Sequence, residues 1–520
     1  RRVEGQKKQP FRLSRLTDAM AFITFCWIPH HIPAPNILTP CTSRFALRAR
    51  QVDASADASS GSFGADEFSI QRGSAVYLVG ADIKQNRYKT LESFWPVEDS
   101  LAELERLCET AGLEVRGQVF QSMQHPSPST FIGSGKLQEI SDEVKSLRVS
   151  AVVFDEELTP AQGRNVQAGL GGAVKVVDRT MLILQIFAQR ARTREAKLQV
   201  QAVRMRYMLP RLQTFMTTGA GMEVGGGSSG GGQFLKGAGE TQLESDRRLF
   251  RKQITKLEAQ MSEVQMQRQT YRSKRRERDN LPIIAIVGYT NAGKSSLLNK
   301  LCGSDEVYAD DLLFATLDPT VRRLRLPGGK EVLLSDTVGF IQKLPTKLVP
   351  AFRATLEELE DADVVLHVVD SSSPLSQQQV MSVQNLIVEL NATRAPQILV
   401  LNKADVVISA TSNLPDAASY SSLHKQIVPK YTVFTSATRG NGLERLIAMI
   451  ERSLLELSVK IECMLPYSAG DMLAEIHKVG TVEVEAYSSS GTRVIAYVPP
   501  SLNSRLQQYR IATTPKSRAG

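Results

Sequence analysis

Eight consecutive residues carry the most specific chemistry in this chain. Gly288, Tyr289, Thr290, Asn291, Ala292, Gly293, Lys294 and Ser295 read G-x-x-x-x-G-K-S directly after the apolar run 282–287. A buried strand opening through a glycine loop into a helix is the setting in which this pattern cradles nucleotide phosphates. The loop amides, continuing through Ser296, and the helix N-terminus would hold the anion. Lys294 would reach the β- and γ-phosphates, and the Ser295 hydroxyl would go to Mg2+. By itself the pattern admits ATPases and GTPases alike.

Three downstream elements narrow the choice. Residues 331–335 have the composition of a strand and lead into Asp336, Thr337, Val338 and Gly339. An aspartate at a strand end can hold Mg2+ through water, while the Gly339 N–H is free to sense a γ-phosphate. A second buried run, 397–401, ends in Asn402, Lys403, Ala404 and Asp405. The Asp405 carboxylate can accept two hydrogen bonds from guanine N1–H and N2–H, a donor pair that adenine lacks at that edge, and Lys403 would pack over the base. A third strand leads into Ser436, Ala437 and Thr438, whose backbone can offer an N–H to guanine O6. Between loop and Asp336 strand, a threonine must complete the metal shell. Thr316 and Thr320 both qualify by position.

These groups need a scaffold. Upstream, short apolar runs at 75–80, 113–121, 151–154 and 174–177 alternate with helical spacings at 101–107, 136–147 and 159–166. Strands alternating with helices predict a small parallel α/β domain over 75–178. Leu198, Ala202, Met205, Leu209 and Leu212 then form a narrow apolar stripe, as do Phe250, Ile254, Leu257, Met261 and Val264. Such stripes zip helices together. The stretch 219–239 between them holds ten glycines in 21 residues and reads as non-helical. The expectation is a long antiparallel helical hairpin over 179–278, with a first arm from 179 to about 217. A nucleotide domain over 281–456 and a small C-terminal α/β segment over 457–511 follow. That last segment should contain a strand pair at 482–487 and 493–498 and a helix at 501–509. Residues 512–520 read as a tail.

Charge separates these pieces. The chain has net charge +9 and a pI near 9.2. Residues 179–278 alone carry 20 Lys/Arg against eight Asp/Glu, while 53–178 is acidic. A solvated coiled-coil surface usually mixes signs evenly, so this imbalance points to phosphate contacts with a nucleic acid. Arg192, Arg194, Lys197, Arg204, Lys236, Arg247 and Arg248 are the contact candidates. Aromatics in the hairpin are few, which favours structured RNA over single-strand stacking and gives no reason to invoke DNA. Five scattered cysteines lack C-x-x-C spacing, arguing against a zinc site or a disulfide framework. No run approaches the ~18 apolar residues of a membrane span. From Met20 to Val52 there is no acidic residue, and the segment ends in an arginine-bearing run. Residues 1–52 therefore resemble an organellar transit peptide, with plastid favoured over mitochondrion; without such an address the chain would be cytoplasmic. A flexible linker is expected over 53–74.

Several further motifs resemble the HflX family of translational GTPases over roughly residues 75–500. They are Pro126-x-Pro128-x-Thr130-x-Ile132-Gly133-x-Gly135-Lys136, Asp178-Arg179-Thr180, 192–200 and 237–248, where Ala238 stands in place of the family's usual proline. Phe314, Ala315, Thr316, Leu317 and Asp318 match that family's switch I signature, which implies Thr316 as the Mg2+ ligand. The resemblance implies a Ras-like P-loop domain in which Lys294, Thr316 and Gly339 serve catalysis. It also implies a protein that binds the large ribosomal subunit through its rRNA and splits or rescues stalled ribosomes; a monomer is expected. A large-subunit assembly factor would use the same parts, and a protein-binding GTP sensor is the reading of another class. Phe340 stands where Ras-type GTPases place the glutamine that orients water, so intrinsic hydrolysis is expected to be slow and ribosome-stimulated.

Overall fold

The protein is described by a computed structural model. It covers residues 70–84, 95–212, 234–279, 281–303, 313–314, 316–317, 320–343, 359–389, 392–411, 414, 416–421, 423 and 427–511. The expected leader, most of the linker, the glycine-rich stretch up to residue 233, Ala315, Asp318 and the 512–520 tail lie outside these residues.

The N-terminal unit is a four-stranded parallel sheet. Strands β1 (Ala75–Ile83), β2 (Glu114–Met123), β3 (Ala151–Phe154) and β4 (Lys175–Asp178) are ordered β2-β1-β3-β4. Crossover helices α1 (Val97–Ala111), α2 (Ser134–Leu147) and α3 (Pro160–Gly169) connect them. Full burial of Ala151–Phe154 explains its continuous apolar run, since a central parallel strand has no solvent face. Edge strand β2 alternates between exposed and half-buried positions instead. Residues 70–74, expected in the linker, belong to the fold: buried Ile70 exchanges two hydrogen bonds with the Gln185 side chain.

The expected single first arm from 179 to 217 is not formed. It is divided into α4 (Arg179–Arg190) and α5 (Arg194–Met208). Asp178 caps α4 by accepting from Met181 N–H, and Thr193 caps α5 by accepting from Ala196 N–H. Nine consecutive residues of α4, Arg179–Phe187, are buried, so this helix is part of the N-terminal core. The physical reason is composition: Met-Leu-Ile-Leu-Gln-Ile-Phe is apolar all round, which suits an interior helix and not a solvated arm.

Helix α5 instead packs on α6 (Phe234–Asp279), which is 46 residues and therefore ~69 Å long. The pairing is antiparallel, because ion pairs Arg206–Glu258 and Glu195–Arg268 step back along α5 as they step forward along α6. Residues 234–239, including Gly237 and Gly239, lie in α6 although the glycine count there predicted loop. A continuous helix on its C-terminal side extends through them.

The nucleotide domain has a six-stranded sheet of order β10-β9-β8-β5-β7-β6. Its strands are β5 (Ile283–Gly288), β6 (Thr320–Arg325), β7 (Glu331–Asp336), β8 (Val364–Asp370), β9 (Gln397–Asn402) and β10 (Tyr431–Phe434), all parallel except β6. Helices α7 (Lys294–Cys302), α8 (Ser376–Glu389), α9 (Ala404–Thr411) and α10 (Leu443–Glu456) accompany it. The C-terminal segment is an antiparallel sheet β11-β13-β12, formed by Val459–Leu465, Thr481–Ser488 and Gly491–Val498, with helices α11 (Gly470–Val479) and α12 (Pro500–Leu506). Strand β11 and α11 were not anticipated. Their apolar side, including Ile461, Leu465 and Ile476, packs against Leu281, Ile283 and Leu333.

One apolar core runs through both the N-terminal unit and the nucleotide domain. It joins Leu104, Leu182 and Phe187 to Leu313, Phe314, Val338 and Phe340.

Candidate nucleotide site

The loop after β5 turns through Asn291, at φ 58°, and Gly293, at φ 89°, into the first turn of α7. A Cβ on Gly293 would lie 2.3 Å from Asn402 Nδ2, so the residue needs both the left-handed conformation and the missing side chain. No side chain caps α7, which leaves its terminal amides for a ligand. Lys294 is buried, and its Nζ donates to the Tyr289 carbonyl at 2.8 Å. Burial pushes its ammonium down to about 8 despite the opposing Asp336 carboxylate.

Three oxygen-bearing side chains meet beside this lysine. Ser295 Oγ donates to Asp336 Oδ2 at 2.6 Å, and Thr316 Oγ1 donates to the same oxygen at 3.0 Å. The two hydroxyls are 2.9 Å apart. Asp336 is fully buried, and its Oδ1 has no protein partner. Burial raises its pKa, opposed by Lys294 and both hydroxyls. A buried carboxylate with an unused oxygen, next to two hydroxyls, is a hard-oxygen donor set that fits Mg2+. Thr320, the other candidate, begins β6 and pairs through its backbone with Asp336.

Gly339 approaches the loop closely. A Cβ there would lie 2.8 Å from Thr290 Cγ2 and 3.1 Å from Lys294 Nζ. Phe340 N–H donates to the Gly288 carbonyl at 3.1 Å, and Thr290 N–H donates to the Phe340 carbonyl at 2.7 Å. The Phe340 side chain is buried in the apolar core that the nucleotide domain shares with the N-terminal unit, and its ring carries no group that could orient water. Thr337 donates its hydroxyl to the Ile286 carbonyl, and Val338 is core, so both hold the backbone that carries Gly339.

At the other end, Asn402 ties three loops together. Its Nδ2 donates to the Ala292 carbonyl at 2.9 Å, and its Oδ1 accepts from Ala437 N–H at 3.1 Å and Thr435 Oγ1 at 3.3 Å. It therefore braces the phosphate loop against the loop that carries Ala437. Lys403, at φ 59°, is held by Asp370 at 2.7 Å. Asp405 lies in the first turn of α9 with Arg439 at 3.8 Å. Ser436 and Thr438 hydroxyls are 3.0 Å apart, shaping the loop that presents Ala437. Ala404 is buried beneath, its N–H donating to the Thr435 carbonyl. His367 is a buried core residue on β8, and no cluster among the described residues could hold a transition metal.

The RNA-contact candidates divide. Arg192, Arg194, Lys197 and Arg248 are exposed and Arg247 is half-buried. Arg204 is not on an outer face: it is buried at 8 % exposure, because it occupies the side of α5 turned toward the protein. Lys236 lies on α6.

Sequence reasoning missed what surrounds the loop. Tyr289 donates its hydroxyl to Glu103 of α1 and accepts from Gln342 N–H at 2.7 Å. Glu103 and Asp155 both pair with fully buried Arg179, and Asp155 also pairs with Lys343. Arg179 adds a hydrogen bond to the Gln342 carbonyl at 3.2 Å. Burial opposes charge on Asp155, yet Arg179 and Lys343 hold its carboxyl below the usual range. The only sequence signal for this network was the Asp178-Arg179-Thr180 motif.

Known proteins decide the family. Three family models match in series: a GTP-binding GTPase N-terminal region over residues 98–188, a GTP-binding GTPase middle region over 190–275, and a 50S ribosome-binding GTPase over 283–403. The chain is 41% identical over 407 residues to the GTPase HflX of Lacrimispora saccharolytica, spanning 78% of this chain and 91% of that one. The chain belongs to the GTPase HflX family. Its counterpart in Escherichia coli (strain K12) is 38% identical over 394 residues, covering 76% and 88% of the two chains. A GDP complex of a GTP-binding protein from Sulfolobus solfataricus matches at 24% identity over 74% and 99% of the chains, with a TM-score of 0.38. This HflX-family member is accordingly a GTP-hydrolysing enzyme with an α/β fold.

Proposed function

We propose that this GTPase uses GTP as the switch for binding the large ribosomal subunit and dissociating or rescuing stalled ribosomes. The observation that carries the reading is the pairing of an assembled nucleotide site with an antiparallel hairpin whose sequence span holds 20 basic against eight acidic residues. A matched family model described as a 50S ribosome-binding GTPase supports the same partner.

In this reading the loop amides of residues 288–296 and Lys294 bind the phosphates, and Asp405 reads guanine with Lys403 over the base. Ser295 and Thr316 would hold Mg2+ directly and Asp336 through water, the ion supplying charge neutralisation at the phosphates. Gly339 offers its N–H to the γ-phosphate. Phe340 cannot orient water, so the ribosome completes the reaction. Exposed Arg192, Arg194, Lys197 and Arg248, with half-buried Arg247, make backbone contacts to rRNA. The acid-free 20–52 segment would direct the protein to a plastid.

Sedimentation with organellar ribosomes tests this. Association with large subunits in a non-hydrolysable GTP analogue, loss in GDP, and a fall in intact ribosomes by light scattering are expected. Equal association in all nucleotide states would remove the switch. Binding to precursor subunits without splitting would favour an assembly role.

A further inference from the structure

The N-terminal unit grips the segment that carries the metal-shell threonine. Leu313 and Phe314 lie three and two residues before Thr316, and both are buried, at 4 % and 2 % exposure. The Phe314 ring packs edge-on against Phe187 of α4, with centroids 4.8 Å apart. Leu313 N–H donates to Thr110 Oγ1 of α1 at 3.2 Å. Phe314 sits at φ 53°, a conformation that an aromatic residue adopts only when its surroundings hold it there. With that anchor in place, the Thr316 hydroxyl stands 2.9 Å from Ser295 Oγ and 3.0 Å from Asp336 Oδ2.

We propose that Phe187 and Thr110 of the N-terminal unit are positioning residues for the nucleotide reaction: they hold switch I so that Thr316 is poised at the metal, and they thereby bias the chain toward GTP over GDP. In GTPases the switch I segment is ordered by γ-phosphate and Mg2+ contacts and released on hydrolysis. A GTP complex therefore uses the held position and a GDP complex does not. An anchor outside the nucleotide domain lowers the ordering cost for the first complex only. By linkage, GTP must tighten the docking of the N-terminal unit on switch I by the same factor. The inference rests on the GTPase activity and not on the ribosomal role.

Affinities for GDP and a non-hydrolysable GTP analogue, measured on the full chain, test it in Phe187→Leu, Phe187→Ala and Thr110→Val. An edge-on aromatic pair is worth about three- to tenfold in an equilibrium. Loss of GTP-analogue affinity by that factor in Phe187→Ala, with GDP affinity within twofold of wild type, is expected. Thr110→Val keeps the volume of the side chain and removes the acceptor for Leu313 N–H, together with the hydroxyl's own bond to the Arg106 carbonyl within α1, so it should show a smaller loss of the same kind. A defect of folding alone would lower both affinities together. Equal losses for both nucleotides in the folded Thr110→Val and Phe187→Leu proteins, or no loss for either, would overturn the proposal. Loss of all GTP binding in wild type would instead reject the nucleotide site itself. Hydrogen exchange along α4 gives the reciprocal arm: slower exchange with the GTP analogue than with GDP is required.

Discussion

His367 shows how a single buried side chain can report on the site's scaffold. It lies on β8 with its Nδ1 unpartnered, and burial pushes its imidazole down to about 3, helped by Lys294. A folded-state pKa below the ordinary value of about 6.5 means that the unfolded chain binds the extra proton first. Stability from this residue is therefore complete above pH ~6.5 and declines as pH falls toward 3. Between pH 7 and pH 5 the loss should be about 2 kcal/mol. Urea unfolding of wild type and His367→Leu at both pH values checks it. The variant should lose about 2 kcal/mol less than wild type over that interval, and an identical acid sensitivity would contradict the assignment. An isolated histidine without metal spacing reads in sequence as a core or surface residue, and only the structure puts this one in the core.

Among the elements, the division between α4 and α5 has the largest consequence. The apolar stripe from Leu198 to Leu212 suggests one long arm, with 179 as its expected start. The apolar run of α4 is what separates the two: it is consumed by the N-terminal core, and Thr193 restarts the helix. Removing that cap in Thr193→Ala leaves the Ala196 N–H without its acceptor, which costs about 1 kcal/mol. Chemical denaturation of the full chain should show the loss in the transition that contains α5, while Thr193→Ser should retain most of the stability. No difference between Ala and Ser would mean that packing, not capping, sets the boundary. Strands β5, β7, β9 and β10 of the nucleotide domain were legible in sequence because each is an apolar run that ends in one of the nucleotide motifs, whereas β8, equally apolar but followed by no such motif, was not anticipated. β11 and α11 were not, since Val459–Leu465 alternates like any half-exposed segment and its buried side depends on Leu281 and Leu333 far away in the chain.

Across the whole molecule, charge is distributed by task. The hairpin span is strongly basic, and the N-terminal unit spends its acidic residues partly on the inside, where Glu103 and Asp155 meet Arg179. If exposed hairpin cations contact RNA phosphates, affinity for large subunits must fall steeply with salt. Reversing Arg247 and Arg248 to Glu should weaken binding at least tenfold and flatten the slope of log affinity against log salt by about 2. Nucleotide affinity in the same variant should be unchanged, since neither residue lies near the loop. Titration of subunit binding across salt concentrations reads both quantities, and an unchanged slope would exclude phosphate contact at these positions.

Local pattern was enough to identify the phosphate loop, Asp336, Gly339 and the Asn402–Asp405 motif. Their chemistry depends on residue types at short spacing, each fixed to the end of one strand. The basic imbalance of 179–278 was equally visible, because net charge needs no geometry. The choice of Thr316 over Thr320, left open by position, came from the switch I resemblance, and Thr316 is the one that meets Ser295 and Asp336. Tertiary structure alone decided that Arg204 turns inward and that Phe314 and Phe340 end in a core shared with the N-terminal unit. Those facts depend on contacts between segments up to about two hundred residues apart, such as Thr110 with Leu313. No periodicity along the chain encodes such a contact, because it arises only when two separately folded apolar surfaces bury each other.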